Sequence, residues 1–159
     1  MTPTWPKETQ TELTRYFGPP GKNQVTFESP YLLRLSWDTD KAVRKFSCHK
    51  LVAPSLLRIL NKVHDHYGPI EIRKLGLDLF GGCFNYRLKT GSKTKWSTHA
   101  WGIALDWDTA NNQYRWDHTK ARLAKPEYND WWNIWEAEGW VSLGRTQDYD
   151  YMHVQASFR

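Results

Sequence analysis

Two stretches of this chain carry residue types that can do chemistry. In "STHAWGIALDWD" (97–108), His99, Asp106 and Asp108 interrupt an otherwise apolar run, and "DYDYMHVQ" (148–155) holds Asp148, Asp150 and His153. Imidazoles and carboxylates are costly to bury unless they are paired, hydrogen-bonded or bound to a metal. Two readings follow from the residues alone. In the first, histidine and aspartate form a satisfied structural pair. In the second, His99, Asp106 and His153 make a borderline-soft set of three ligands suited to Zn²⁺. Such a set leaves a fourth position for water, as hydrolysis requires. Asp150, three residues before His153, then suits a general base, provided its carboxylate hangs over the metal instead of binding it. Asp148 is the alternative base.

Other clusters are weaker. His64, Asp65 and His66 lie on a helical pattern where neighbours at i and i+2 point apart, so a solvated face is expected. His49 and His118 stand outside any motif. Glu136 and Glu138 fall at a helix end and are expected on the surface. Cys48 and Cys83 match no zinc spacing and are too few for a disulfide framework. Cys83, beside two glycines and without an identifiable partner base, reads as a small core residue.

The elements that must position these groups follow from periodicity. Residues 7–16 suit a short helix, which "FGPPGKNQ" (17–24) breaks. "TFESPYLLRLSWD" reads as extended, with Leu33, Leu35 and Trp37 alternating against polar neighbours. Pro54 to Tyr67 is the strongest helix, with Leu56, Ile59, Leu60, Val63 and Tyr67 at helical spacing and Gly68 as its stop. "IEIRKLGLDLFGGCFNYRL" reads as short strand-like pieces, "GSKTK" as a loop, and Asn111-Asn112 as a turn. A second helix starts near Pro126, crowds Trp131, Trp132, Ile134 and Trp135 together as core, and ends at Gly139. "GWVSLG" and "DYMHVQASF" are closing strands. Helices grouped with short, mostly antiparallel strands predict an α+β domain.

Composition narrows the partners. A chain of 159 residues, 40% hydrophobic with ten tryptophans, fits one globular domain with a real core and is not disordered. A net charge of +5 favours anionic partners. The densest basic run, "KAVRKFSCHK", reads as a solvated face rather than a phosphate track, so no nucleic acid is expected. No span of about 18 apolar residues is present to cross a membrane. The N-terminus has no apolar signal region, so synthesis in a cytoplasm with reduced thiols is expected.

The motif Ser-x-His-x-x-Gly-x-Ala-x-Asp (Ser97, His99, Gly102, Ala104, Asp106), followed by Asp-x-x-His (Asp150, His153), resembles the zinc peptidases of the D-alanyl-D-alanine carboxypeptidase (LAS) group. That group includes phage L-alanyl-D-glutamate endopeptidases. "WWNIWEAEGW" resembles its Trp-rich helix and Gly-aromatic turn, and "FGGCFNYR" its segment carrying a substrate-side arginine. Together these run in the right order over roughly residues 45 to 155. The resemblance implies a hedgehog/DD-peptidase-like fold over residues 1–159 as one catalytic domain. It implies Zn²⁺ on His99, Asp106 and His153, with Asp150 as catalytic base. Arg87 is expected to hold a substrate carboxylate or polarise the scissile carbonyl, and Ser97 to lie near the substrate. Asp108 is left as a group behind the ligands or in a turn.

The implied activity is hydrolysis of the peptide stems of bacterial peptidoglycan. The missing signal tilts the expectation to an L-alanyl-D-glutamate endopeptidase, a monomeric phage-type endolysin that reaches the wall after release. The rival enzyme is a D-alanyl-D-alanine carboxypeptidase. The non-enzyme rival is a cell-wall- or nucleic-acid-binding module, with no ordered metal and no use for Asp150.

Overall fold

The strongest periodicity in the chain forms its longest helix. In the computed structural model, which describes residues 3–159, Leu56, Ile59, Leu60 and Val63 are all buried. They lie on the inner face of a helical segment spanning Ala53–Leu75. We number the helices α1 (Gln10–Phe17), α2 (Ala53–Leu75), α3 (Asn129–Ala137) and α4 (Leu143–Gln147). The expected stop at Gly68 is a kink: its φ of 75° and ψ of 165° leave the helical region, and a second helical piece follows from Pro69. "IEIRKL" is therefore helix, not strand. Proline suits a first helical turn, and Glu, Arg, Lys and Leu are good helix formers once a turn has begun.

The strands are β1 (Gln24–Leu35), β2 (Asp38–His49), β3 (Leu79–Gly82), β4 (Ala104–Trp107), β5 (Val141–Ser142) and β6 (His153–Gln155). They form one six-stranded sheet in the order β2-β1-β3-β4-β6-β5. Only β1 and β3 pair in parallel; the other neighbours are antiparallel. The domain is α+β, as its sequence predicts.

The alternation expected to reach Trp37 ends at Leu35, where the chain turns into β2 and leaves Trp37 67% exposed. The basic run "KAVRKFSCHK" lies largely on β2, the outer strand, with most of its charged side chains in solvent. Charges on an edge strand discourage pairing with other chains. "GWVSLG" is strand only at Val141 and Ser142. Ser142 Oγ then accepts a hydrogen bond from Arg145 N and caps α4, as serine at a helix start does.

On the inner face of β4, Trp107 packs edge-on against Trp131 of α3, with ring centroids 5.4 Å apart. Trp132 and Trp135 are buried with Trp131 as core, as expected, and Trp101 and Trp140 are buried around them. Glu138 is not on the surface. It is buried and accepts hydrogen bonds from Ser55 Oγ and from the Arg58 guanidinium at 2.8–3.0 Å. These contacts with α2 give its carboxylate the partners a buried charge needs. Among the described residues no helix is long and apolar enough to cross a membrane.

Candidate metal centre

Strand register brings the distant pieces of the two motifs together. β4 and β6 pair with Asp106 directly opposite His153, which places their side chains side by side. Residues two apart on a strand share a face, so Gln155 stands next to His153 on β6. His99 comes from a short 3₁₀ turn, Thr98–Trp101, whose start Ser97 Oγ caps by accepting from His99 N at 3.2 Å. Gly102 then turns the chain into β4 with φ of 72°, and a Cβ there would collide with the Gln24 side chain. One 3₁₀ turn and one left-handed glycine thus account for the spacing between His99 and Asp106.

The three side chains converge. His99 Nε2 lies 3.3 Å from Asp106 Oδ2, and His153 Nδ1 lies 3.3 Å from Asp106 Oδ1. One ligand atom from each of His99, Asp106 and His153 falls within 4.8 Å of the others. The outward nitrogens are occupied: His99 Nδ1 meets the Cys83 carbonyl at 2.7 Å, and His153 Nε2 meets Gln155 Oε1 at 2.8 Å. Both partners are acceptors, so each outward nitrogen carries its hydrogen and each inward nitrogen presents a lone pair. Asp106 Oδ1 is buried without a hydrogen-bond partner. Such an orphaned carboxylate oxygen beside two inward lone pairs fits a cation, and the donor set fits zinc.

Electrostatics fit as well. Burial works to raise the Asp106 pKa, but interactions with the adjacent His99 and His153 imidazoles outweigh it and hold the carboxyl well below its usual range. Burial works to lower the His153 pKa, yet Asp106 and then Asp150 outweigh it, and the pKa is raised.

Asp150 lies beside this group, with Oδ2 4.0 Å from His153 Nδ1. Burial, reinforced by Asp106, pushes its pKa up to about 6 despite the opposing charge of His153. Its backbone is left-handed, with φ of 54°. That conformation is held by hydrogen bonds from Asp150 N to the Tyr114 carbonyl and from His153 N to the Asp150 carbonyl. Asp150, His153, His99 and Asp106 line a cleft of about 680 Å³, whose wall also includes Arg87 and Ser97. A further cavity of about 240 Å³, lined by Trp37 and Asn85, shares His99, Asp106 and Arg87 with that cleft. Arg87 is exposed and donates to its neighbour's carbonyl, Leu88 O, at 3.3 Å.

Residues 90–156 match the family model for D-alanyl-D-alanine carboxypeptidase. The match supports a peptidase. It takes in Ser97, His99, Asp106, Asp150 and His153, and it leaves Arg87 outside. No curated protein and no solved structure matches the chain.

Around the matched segment, the remaining candidates separate by place. Asp108 is buried and turned to Arg122, which donates from Nε at 2.7 Å, and to Asn111, which donates from Nδ2 at 2.8 Å. Asp148 sits on an exposed turn, where it accepts hydrogen bonds from His118 N and Tyr151 Oη. On α2, His64 is half-buried and Asp65 and His66 are exposed. Cys48 and Cys83 are buried free thiols, and burial raises both pKa values, that of Cys48 to about 12. Buried His49 meets the Phe17 carbonyl through Nε2 at 2.6 Å.

Two residues of the site escape sequence reasoning. Gln155 carries a usable signal, because it lies two residues after His153 on a strand. Glu8 carries none: its carboxylate accepts from Gln155 Nε2 at 2.6 Å across nearly the whole chain. Burial works to raise the Glu8 pKa, but Gln155, Lys89 and Arg159 outweigh it and the pKa is lowered.

Proposed function

We propose that this chain is a zinc peptidase that hydrolyses the peptide stems of bacterial peptidoglycan, with residues 1–159 acting as one monomeric catalytic domain. The observation that carries the reading is the convergence of His99, Asp106 and His153 around an orphaned carboxylate oxygen, with Asp150 beside them in a cleft. Zinc bound there supplies a Lewis acid that polarises a carbonyl and acidifies water. Asp150 takes a proton from the attacking water and returns it to the leaving amine, so the step consumes no net proton. Without metal, burial raises the Asp150 carboxyl pKa to about 6, in the direction that suits a group that both takes and returns a proton. Arg87, on the wall of the same cleft, grips a substrate carboxylate with its planar guanidinium. Ser97 caps the turn that carries His99 and lies at the substrate's edge.

The bond we assign is L-alanyl-D-glutamate, in an endolysin-type role. Support comes from the two cavities that meet at His99, Asp106 and Arg87. An endopeptidase needs room for residues on both sides of the scissile bond, whereas a carboxypeptidase needs room for a single residue on the leaving side. The net charge of +5 favours approach to an anionic wall. The second reading, a D-alanyl-D-alanine carboxypeptidase, is favoured by the description of the matching family.

Mass spectrometry of purified peptidoglycan after digestion by the zinc-loaded protein separates the two. New L-Ala carboxyl and D-Glu amino ends are expected. Released D-Ala would transfer the assignment to the carboxypeptidase. No product beyond that of a His153→Ala control would overturn both and leave a binding module.

A further inference from the structure

We infer that Glu8 is a positioning residue of the metal centre, acting through Gln155 to fix the tautomer and ring orientation in which His153 offers Nδ1 to a metal. The inference rests on His153 being a ligand.

Gln155 is fully buried and both ends of its amide are engaged. Its Nε2 donates to Glu8 Oε1 at 2.6 Å and to Ser157 Oγ at 2.9 Å, while its Oε1 faces His153 Nε2 at 2.8 Å. A carboxylate can only accept, so Glu8 dictates that the amide nitrogen points toward it. The amide oxygen then points at His153, and an oxygen without hydrogen requires a protonated Nε2. The Nδ1 lone pair is thereby directed at the space beside Asp106. With the amide reversed, Nε2 would accept, Nδ1 would carry the hydrogen, and that hydrogen would occupy the metal's place. The Ser157 hydroxyl can donate or accept, so it does not choose between the two arrangements. The Ser157 carbonyl lies farther from Gln155 Nε2, at 3.3 Å.

Glu8 is itself built in. Its side chain is 7% exposed, and Lys89 Nζ and Arg159 Nε lie 3.3 and 3.2 Å from its Oε2. Its own N–H donates to the Phe158 carbonyl, and Lys7 forms a parallel bridge with Phe158. The segment before α1 is thus docked beyond the end of β6, close to the ligand it steadies. It lies outside residues 90–156, over which the family model matches.

The test is zinc affinity, measured by chelator competition on the full chain. Outer partners of ligating histidines are commonly worth about 10–100-fold in metal affinity, and Glu8→Ala is expected to weaken zinc by about tenfold. Gln155→Leu removes the acceptor that faces His153 Nε2 and is expected to weaken it at least as much. The exchange variant Glu8→Gln with Gln155→Glu restores the pattern: Gln at 8 donates to Glu at 155, which accepts from His153. Its affinity should return to within about threefold of wild type. If Glu8→Ala fails to fold, the comparison of Gln155→Leu with the exchange variant still decides. ¹⁵N NMR of the zinc-loaded protein should show His153 protonated at Nε2.

Lower melting temperature with unchanged zinc affinity, absence of rescue in the exchange variant, or the opposite tautomer would overturn the inference. His153→Ala marks which reading has failed. If it retains zinc, the ligand assignment is wrong. If it loses zinc while every Glu8 and Gln155 variant binds like wild type, only the positioning role is wrong.

Discussion

Asp106 faces His153 across the β4–β6 ladder, and its second oxygen faces His99, so each carboxylate oxygen lies 3.3 Å from one imidazole nitrogen. A carboxylate held between two inward-facing lone pairs has two ways to be satisfied. Without metal, a proton shared with an imidazole does it; with metal, all three groups turn to the ion. The consequences of that competition can be measured.

The first is stoichiometry. One zinc per chain is expected after dialysis, and His99→Ala, Asp106→Ala and His153→Ala should each abolish it, because three ligands are the minimum for an open catalytic site. Elemental analysis decides this, and full zinc occupancy in any of the three variants rejects that residue as a ligand.

The second is the pH dependence of the metal-free fold. The His153 pKa is raised in the folded chain, so its charged form contributes stability that is fully present below the unfolded value of about 6.5. That contribution is lost as pH rises through the folded value. Asp106 has the opposite sign: its lowered pKa contributes stability present above about 3.9 and lost as pH falls through its folded value. Thermal stability in chelator should therefore fall as pH rises through neutrality. Zinc needs neutral imidazoles, so its stabilisation grows over the same range and reaches about 2.7 kcal/mol at a hundredfold excess over Kd. Melting curves with and without chelator check both slopes. A metal-free midpoint that climbs through neutrality would exclude the His153–Asp106 coupling.

Much of this centre is legible in the sequence because its residues sit in two short motifs. The register that joins them is legible only in part. Alternation in "ALDW" and "HVQ" shows which residues share a face, but it does not show that Asp106 pairs with His153. Helix and strand are harder to separate in "IEIRKL", where short apolar spacing fits either, and Pro69 starting a second helical piece decides it. Glu138 and Glu8 escape for one reason. Their partners, Arg58 and Gln155, lie far away in sequence, and local pattern carries no information about which charges will be buried together.

Arg87 offers a test of substrate choice. It borders both cavities that meet at the metal centre, and among the described residues its guanidinium hydrogen-bonds only to Leu88 O, at 3.3 Å. Its two-pronged grip on a carboxylate cannot be reproduced by an ammonium. Arg87→Lys should mainly raise KM, and amidating the substrate carboxylate should penalise wild type far more than the variant. A fall in kcat with equal penalties for both proteins would instead put Arg87 on the developing oxyanion. Unchanged constants in Arg87→Ala would leave it a surface residue.

Asp150 and Asp148 lie two residues apart on the same turn, and only Asp150 lines the cleft. Both have left-handed backbones, with φ of 54° and 58°. Asparagine is the substitution of choice, since it tolerates that conformation where alanine would add strain. Asp150→Asn keeps the shape of the side chain but removes the base. It should retain zinc and lose at least ~100-fold in kcat, the usual scale for a general base. Asp148→Asn disturbs hydrogen bonds to His118 and Tyr151 and should leave the rate near wild type. The pH profile gives a second reading of the same group. Burial raises the Asp150 pKa to about 6, and the base must be ionised to act, so kcat/KM should fall on the acid side with a single-proton slope. A neighbouring dication favours the carboxylate, which places that limb at or below 6 in the zinc-loaded enzyme. The limb should vanish or move in the residual activity of Asp150→Asn. An active Asp150→Asn beside a dead Asp148→Asn would hand the proton to the other aspartate.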